Sequence, residues 1–337
     1  MIEKIFYGKT QDGQDVYKYT LKTKEAEASF ISYGATWLSF NLIGGTNVIL
    51  GYNDLLTYET SGGYLGATVG RNSNRIKNAQ FTLIKNLYNV DVNNKSNNLH
   101  GGKHGFSKKV FFEKEVNHSE NSVTLSYFSK DLEGGFPGNM DFSVKFTLNK
   151  TSFSIEYFAV SDKDTVCNPT NHAYFNLGEN VLDTYLQINS SFITVCNERL
   201  EPTGEIIKVE NTPFDFTVTK PIGKDIKGEH YLIAFMKGYD VNYCLSSFNE
   251  YEKVATAKNS KDGLTLNVYT DRPAVQFYTS KILTERVDKN GEIYKVFGGF
   301  CLETQTYSGA TNNPHFPTPF IRANEKFYSK TTYELVK

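Results

Sequence analysis

Two residues in this 337-residue chain have the makings of an acid–base couple. Glu303, in Gly298-Gly299-Phe300-Cys301-Leu302-Glu303-Thr304-Gln305, stands between apolar residues and a polar run. A partly desolvated carboxylate is costly there unless something pairs with it. His172 lies in Asn168-Pro169-Thr170-Asn171-His172-Ala173-Tyr174-Phe175-Asn176-Leu177, where Pro169 pushes Asn168 toward an extended conformation. His172 and Tyr174 share side-chain parity, so both are expected to face one cleft. Read separately, Glu303 suits a structural ion pair and His172 a hydrogen-bonded strand residue.

Other polar clusters break the apolar pattern. Gly66-Ala67-Thr68-Val69-Gly70-Arg71-Asn72-Ser73-Asn74-Arg75-Ile76 packs two Arg and two Asn between apolar flanks. Guanidinium and amide groups are forked donors that match pairs of sugar hydroxyls; a solvated loop with surface ion pairs is the plainer reading. In Asn97-Asn98-Leu99-His100-Gly101-Gly102-Lys103-His104-Gly105-Phe106, His100 donates and accepts, and the two glycines let backbone approach a ligand. No carboxylate or Cys accompanies the two His at ligand spacing, so no metal site is expected. Asp240, in Gly238-Tyr239-Asp240, opens a strand, and Gln276 sits within Pro273-Ala274-Val275-Gln276-Phe277-Tyr278.

The elements that must position these residues are strands. Phe142, Val144, Phe146 and Leu148 alternate with polar residues, as do Leu264, Leu266 and Val268, and Val123, Leu125 and Tyr127. That period is the mark of half-buried strands. Turn chemistry separates them at Asp12-Gly13, Gly44-Gly45, Gly134-Gly135, Asp262-Gly263 and Asn290-Gly291. One short helix is expected over Asn53–Thr60, capped by Asn53 or Asp54, and His315 to Phe320 reads as a rigid loop before a last strand. The expected fold is all-β: one large antiparallel β-sandwich over residues 1–337, with two sandwiches as the alternative.

Lys and Arg number 36 against 37 Asp and Glu, so no net field recruits nucleic acid or an anionic membrane. No apolar run has the length of a signal peptide or a membrane span. Cys167, Cys196, Cys244 and Cys301 form no C-x-x-C pair, which suits free thiols in a reducing cytoplasm. The chain carries no dinucleotide fingerprint or P-loop, and no cofactor is expected. The abundant Tyr suits a polyhydroxylated ligand.

Taken together and in order, the segments Asn74-Arg75-Ile76, Leu99-His100-Gly101-Gly102, Asn168 to Leu177, Gly238-Tyr239-Asp240, Val275-Gln276-Phe277-Tyr278-Thr279 and Leu302-Glu303-Thr304-Gln305 resemble the galactose mutarotase (aldose 1-epimerase) family. The resemblance implies a β-supersandwich with an open cleft for a monosaccharide, in a monomer or homodimer. It implies Glu303 as general base and His172 as general acid. Asn74, Arg75, His100, Tyr174, Asp240 and Gln276 then hold the sugar, and His100 also assists proton transfer. Val241 departs from the family, where His often follows the Asp, which puts one secondary contact in doubt. Arg71 matches less firmly and stays outside the expected site.

The implied chemistry interconverts the anomers of an aldose by opening the cyclic hemiacetal and reclosing it on the other face of the aldehyde. A base takes the proton of the C1 hydroxyl while an acid protonates the ring oxygen. Reference pKa values of ~4.3 and ~6.5 suit a Glu303 carboxylate and a His172 imidazolium held by nearby negative charge. They predict a bell-shaped kcat/KM that is not flat between pH 5 and 8. Three rivals stand beside this expectation: a non-catalytic sugar-binding module, a glycosidase with two carboxylates, and a hexose 6-phosphate epimerase using Arg71 with Arg75 for the phosphate.

Overall fold

Residues that alternate along the sequence become the two faces of antiparallel sheets. The computed structural model describes residues 1–337 except 179, 247–249, 282, 284, 285, 289 and 290, so Asn290 of the expected last turn lies outside the described residues. Ile2–Lys9, Asp15–Lys22, Ala26–Ile31 and Thr36–Leu42 form a four-stranded meander. The largest sheet has nine strands, centred on Met140–Asn149, Ser152–Ser161, Phe327–Val336 and Thr265–Thr270. The strand nearest the C-terminus therefore completes its middle. A third sheet runs in the order Pro202–Lys208, Phe192–Cys196, Asp240–Cys244, Ala274–Thr279, Phe300–Gln305.

Inner faces of all three sheets merge into one apolar cluster. Trp37 stacks on Phe153 with ring centroids 4.6 Å apart, and Phe30 on Phe146 at 4.1 Å. Among the described residues the α-helices are short: Leu55–Thr60, and Tyr231–Met236, which the sequence did not signal. Asp54 caps the first by accepting the Thr57 N–H at 2.9 Å. All four cysteines are free, and Cys196 alone is only half-buried. Among the described residues no helix is long and apolar enough to cross a membrane.

Candidate active site

The five-stranded sheet supplies half of the site through its register. Asn242 lies directly opposite Gln276, and Gln276 opposite Glu303. Two residues along, Asp240 lies opposite Tyr278, and Tyr278 opposite Cys301. Directly opposed residues place Cβ atoms about 4.5–5.5 Å apart on one face. The intervening row, Val241, Phe277 and Leu302, points the other way into the apolar core. Val241 is thus a core residue, and no contact to the cavity is lost by its being apolar.

The other half comes from loops. Arg75–Ile76 pairs with Asn98–Leu99, which sets His100 next to Asn74. The two residues bind each other twice: the Asn74 N–H donates to His100 Nδ1 at 3.3 Å, and the His100 N–H to the Asn74 carbonyl at 3.2 Å. His172 follows the two-residue strand Thr170–Asn171 instead of lying within a longer one. Its ring is sandwiched between Tyr64, at 5.8 Å, and Tyr174, at 5.0 Å. Tyr174 is held in turn by its hydroxyl, which donates to the Gly63 carbonyl at 2.9 Å.

All eight residues expected from the sequence line one cavity of about 260 Å³: Asn74, Arg75, His100, His172, Tyr174, Asp240, Gln276 and Glu303. That volume suits a small polar ligand. Tyr64, Asn94, Tyr278 and Lys281 also line it and were not expected. Tyr278 shares the parity of Gln276 and could have been found that way. Tyr64 and Lys281 carry no sequence signal, since only tertiary folding brings them in. Glu303 Oε1 lies 3.6 Å from His172 Nε2, with both residues no more than 5% exposed. Asp240 Oδ1 accepts from Gln276 Nε2 at 2.8 Å. Arg75 Nε donates to Asn94 Oδ1 at 3.2 Å.

Burial changes the charge states expected from reference values. It lifts the Glu303 carboxyl well above the usual carboxylate range, and Asp240 adds to the rise while Arg75 opposes it. It depresses His172 to about 4, against smaller opposing effects of a hydrogen bond to its own backbone and of Asp240. His100 is likewise pushed well below its ordinary value by burial, with His172 and Arg75 adding to the effect. Desolvation thus outweighs the neighbouring negative charge that was expected to keep His172 protonated. Glu303 Oε2 and Gln276 Oε1 are buried without a hydrogen-bond partner among the described residues. Such orphaned acceptors each cost about 1–3 kcal/mol unless a ligand satisfies them.

The fold also gathers what the sequence spacing lacked for a metal: ligand atoms of His100, His172 and Glu303 lie within 4.8 Å of one another. Because His100 Nδ1 already accepts from Asn74, its neutral ring carries hydrogen on Nε2. It offers a donor there, which fits a hydroxyl and not a metal ion.

Three other expectations are settled by position. Arg71 is buried, and its guanidinium donates to Ser129, Lys130, Pro137, Gly138 and Thr165, leaving nothing for a phosphate. His104 is exposed and pairs with Asp91 at 2.7 Å. Gly101 serves the protein and not a ligand, since a Cβ there would stand 1.8 Å from the Gly70 carbonyl oxygen.

A model of the aldose 1-epimerase family matches residues 17–334. The chain belongs to this family. Among its relatives, a galactose mutarotase from Sus scrofa is 34% identical over 327 residues, covering 94% of this chain and 93% of the relative. An aldose 1-epimerase from Haemophilus influenzae is 37% identical over 338 residues, covering 96% of each. A crystal structure of a galactose 1-epimerase from Lactobacillus acidophilus superposes with a TM-score of 0.89 at 27% identity, over 100% of this chain and 98% of that one. The expected galactose mutarotase-like fold is therefore the observed one, and the relatives are enzymes of sugar isomerisation by name.

Proposed function

We propose that this aldose 1-epimerase family member interconverts the α and β anomers of a free aldohexose, with Glu303 and His172 moving the protons and residues 1–337 acting as one unit. The observation that carries the reading is the 3.6 Å separation of Glu303 Oε1 and His172 Nε2 inside the cavity. The C1 hydroxyl oxygen and the ring oxygen are bonded to the same carbon, so two groups this close serve both at once. Geometry of this kind decides a general acid–base assignment before pKa does.

The altered proton affinities give the reaction a direction. In the reactive state Glu303 is a carboxylate and His172 an imidazolium. Glu303 takes the proton of the C1 hydroxyl, the bond from C1 to the ring oxygen breaks, and His172 Nε2 protonates that oxygen. The ion pair becomes a neutral pair, and burial is what makes the charged state the costlier one. Desolvation therefore pushes the ring open. After rotation about C1–C2, His172 recovers the proton, Glu303 returns the other, and the ring closes on the opposite face. The remaining polar groups orient the sugar: Asp240 accepts from a hydroxyl, while Arg75 and the Nε2–H of His100 donate.

A sugar-binding module has no use for this juxtaposition, and the phosphate reading loses Arg71. Four unbridged cysteines favour the cytoplasm as its place of action. Polarimetry on freshly dissolved α-D-galactose or α-D-glucose tests the proposal. Glu303→Gln and His172→Asn are each expected to lose ~10²–10⁴-fold in kcat. A folded variant that equilibrates the sugar as fast as the parent removes the assignment.

A further inference from the structure

His172 has two ring nitrogens, and the mechanism above uses one. The other, Nδ1, lies 3.7 Å from Cys301 Sγ. Cys301 and Glu303 occupy alternate positions of Phe300–Gln305, so both project from the same face of the sheet. Two strand positions span about 6.8 Å, enough to bracket an imidazole edgewise. Glu303 meets Nε2 and Cys301 meets Nδ1, while Tyr64 and Tyr174 cover the faces of the ring. The thiol is wholly buried, and no other hydrogen-bonding partner is described for it.

We propose that Cys301 is a positioning residue for the acid–base pair, holding His172 by Nδ1 so that Nε2 faces Glu303 and the substrate. This inference rests on the mutarotase reading. A thiol is both a weak donor and a weak acceptor. Once Nε2 has given its proton to the ring oxygen, neutral His172 keeps its hydrogen on Nδ1, and Sγ accepts from that Nδ1–H. Toward the imidazolium, which carries hydrogen on both nitrogens, Sγ accepts from the same Nδ1–H. One side chain thereby serves both proton states without fixing either. A carboxylate at that place would trap the imidazolium, and an alkyl group would leave the ring only the hydrogen bond to its own backbone.

The thiol itself stays protonated, since burial and the nearby Glu303 and Asp240 hold it well above its ordinary range. The ionisable groups around the His172 ring are Glu303, His100, Asp240, Tyr64, Tyr174 and Cys301 itself. Of these, Cys301 is the one described in contact with Nδ1, beside a hydrogen bond between the ring and the backbone of His172 itself.

The test compares Cys301→Ala and Cys301→Ser with the parent by polarimetry across pH and by ¹⁵N NMR of the histidine rings. In the parent, neutral His172 is expected as the Nδ1–H tautomer, with Nε2 free to take a proton. Cys301→Ala is expected to mix the tautomers and to lower kcat ~10-fold or more at little change in KM, in the range for removing a group that orients a functional His. Cys301→Ser, a stronger acceptor for Nδ1–H, is expected to keep the tautomer, recover most of kcat and move the acid limb of the pH profile upward. A parent neutral His172 with hydrogen on Nε2 overturns the proposal, as does a Cys301→Ala protein with unchanged tautomer, kcat and acid limb. If Cys301→Ala fails to fold, the serine variant decides alone: an acid limb and ring signals identical to the parent overturn the proposal. A parent that lacks mutarotase activity but shows the thiol-dependent tautomer sinks the functional reading and leaves the contact standing.

Discussion

Glu303 and His172 titrate as a pair, and their shared proton sets the pH range of activity. His172 is depressed to about 4, so above that value it takes no second proton. Glu303 is raised, so it gives up its proton late. Between those limits the pair holds one proton in total, either as carboxylate with imidazolium or as the two neutral groups. These are tautomers with the same pH dependence. Below about pH 4 a second proton leaves no base, and above the raised range of Glu303 the single proton departs and leaves no acid. We expect kcat/KM to fall below about pH 4 and to show no acid-side decline between pH 5 and 8. This reverses the profile expected from reference pKa values. Initial rates by polarimetry over that range check it, and a half-maximal rate near pH 6.5 would show that burial is not controlling the pair.

At the scale of elements, the site is one sheet face closed by loops that depend on close backbone contact. Gly101 permits the closest of these, and its φ of +88° is one that L side chains rarely adopt. Gly101→Ala is expected to displace the turn carrying His100, lowering Tm by several degrees and kcat/KM by at least ~10-fold. A variant with parent-like Tm and kcat/KM would show that this turn tolerates a Cβ. The strand half of the site was legible because side-chain parity is a local property: Asp240, Gln276 and Glu303 stand in readable strands, and the same parity marks Tyr278 and Cys301. The loop half was legible only through ordered motifs. Tyr64 and Lys281 were not legible, because no period connects them to the residues they join. Nor were the proton affinities, which depend on how completely the fold excludes water. The two glycines after His100 show the same limit: their identity was informative, but what approached them was backbone and not ligand.

Across the whole molecule, three sheets share one apolar cluster while the catalytic face looks away from it. The alternation of Leu302 with Cys301 and Glu303 couples the two, since the strand that presents Glu303 is anchored by its other side. The match of a single family model from residue 17 to 334 agrees with that sharing of one interior. Trp37, the chain's sole tryptophan, is fully buried in that interior and is not among the residues lining the cavity. Its indole N–H donates to the Ser39 carbonyl at 2.9 Å. Ultraviolet emission excited at the indole is therefore a private signal of the interior. It should be blue-shifted in the native protein, unmoved by saturating galactose, and red-shifted in one step as urea exposes the ring. Melting and ligand occupancy become separately observable in a single cuvette, and emission that tracked sugar concentration would place the indole in contact with events at the opening.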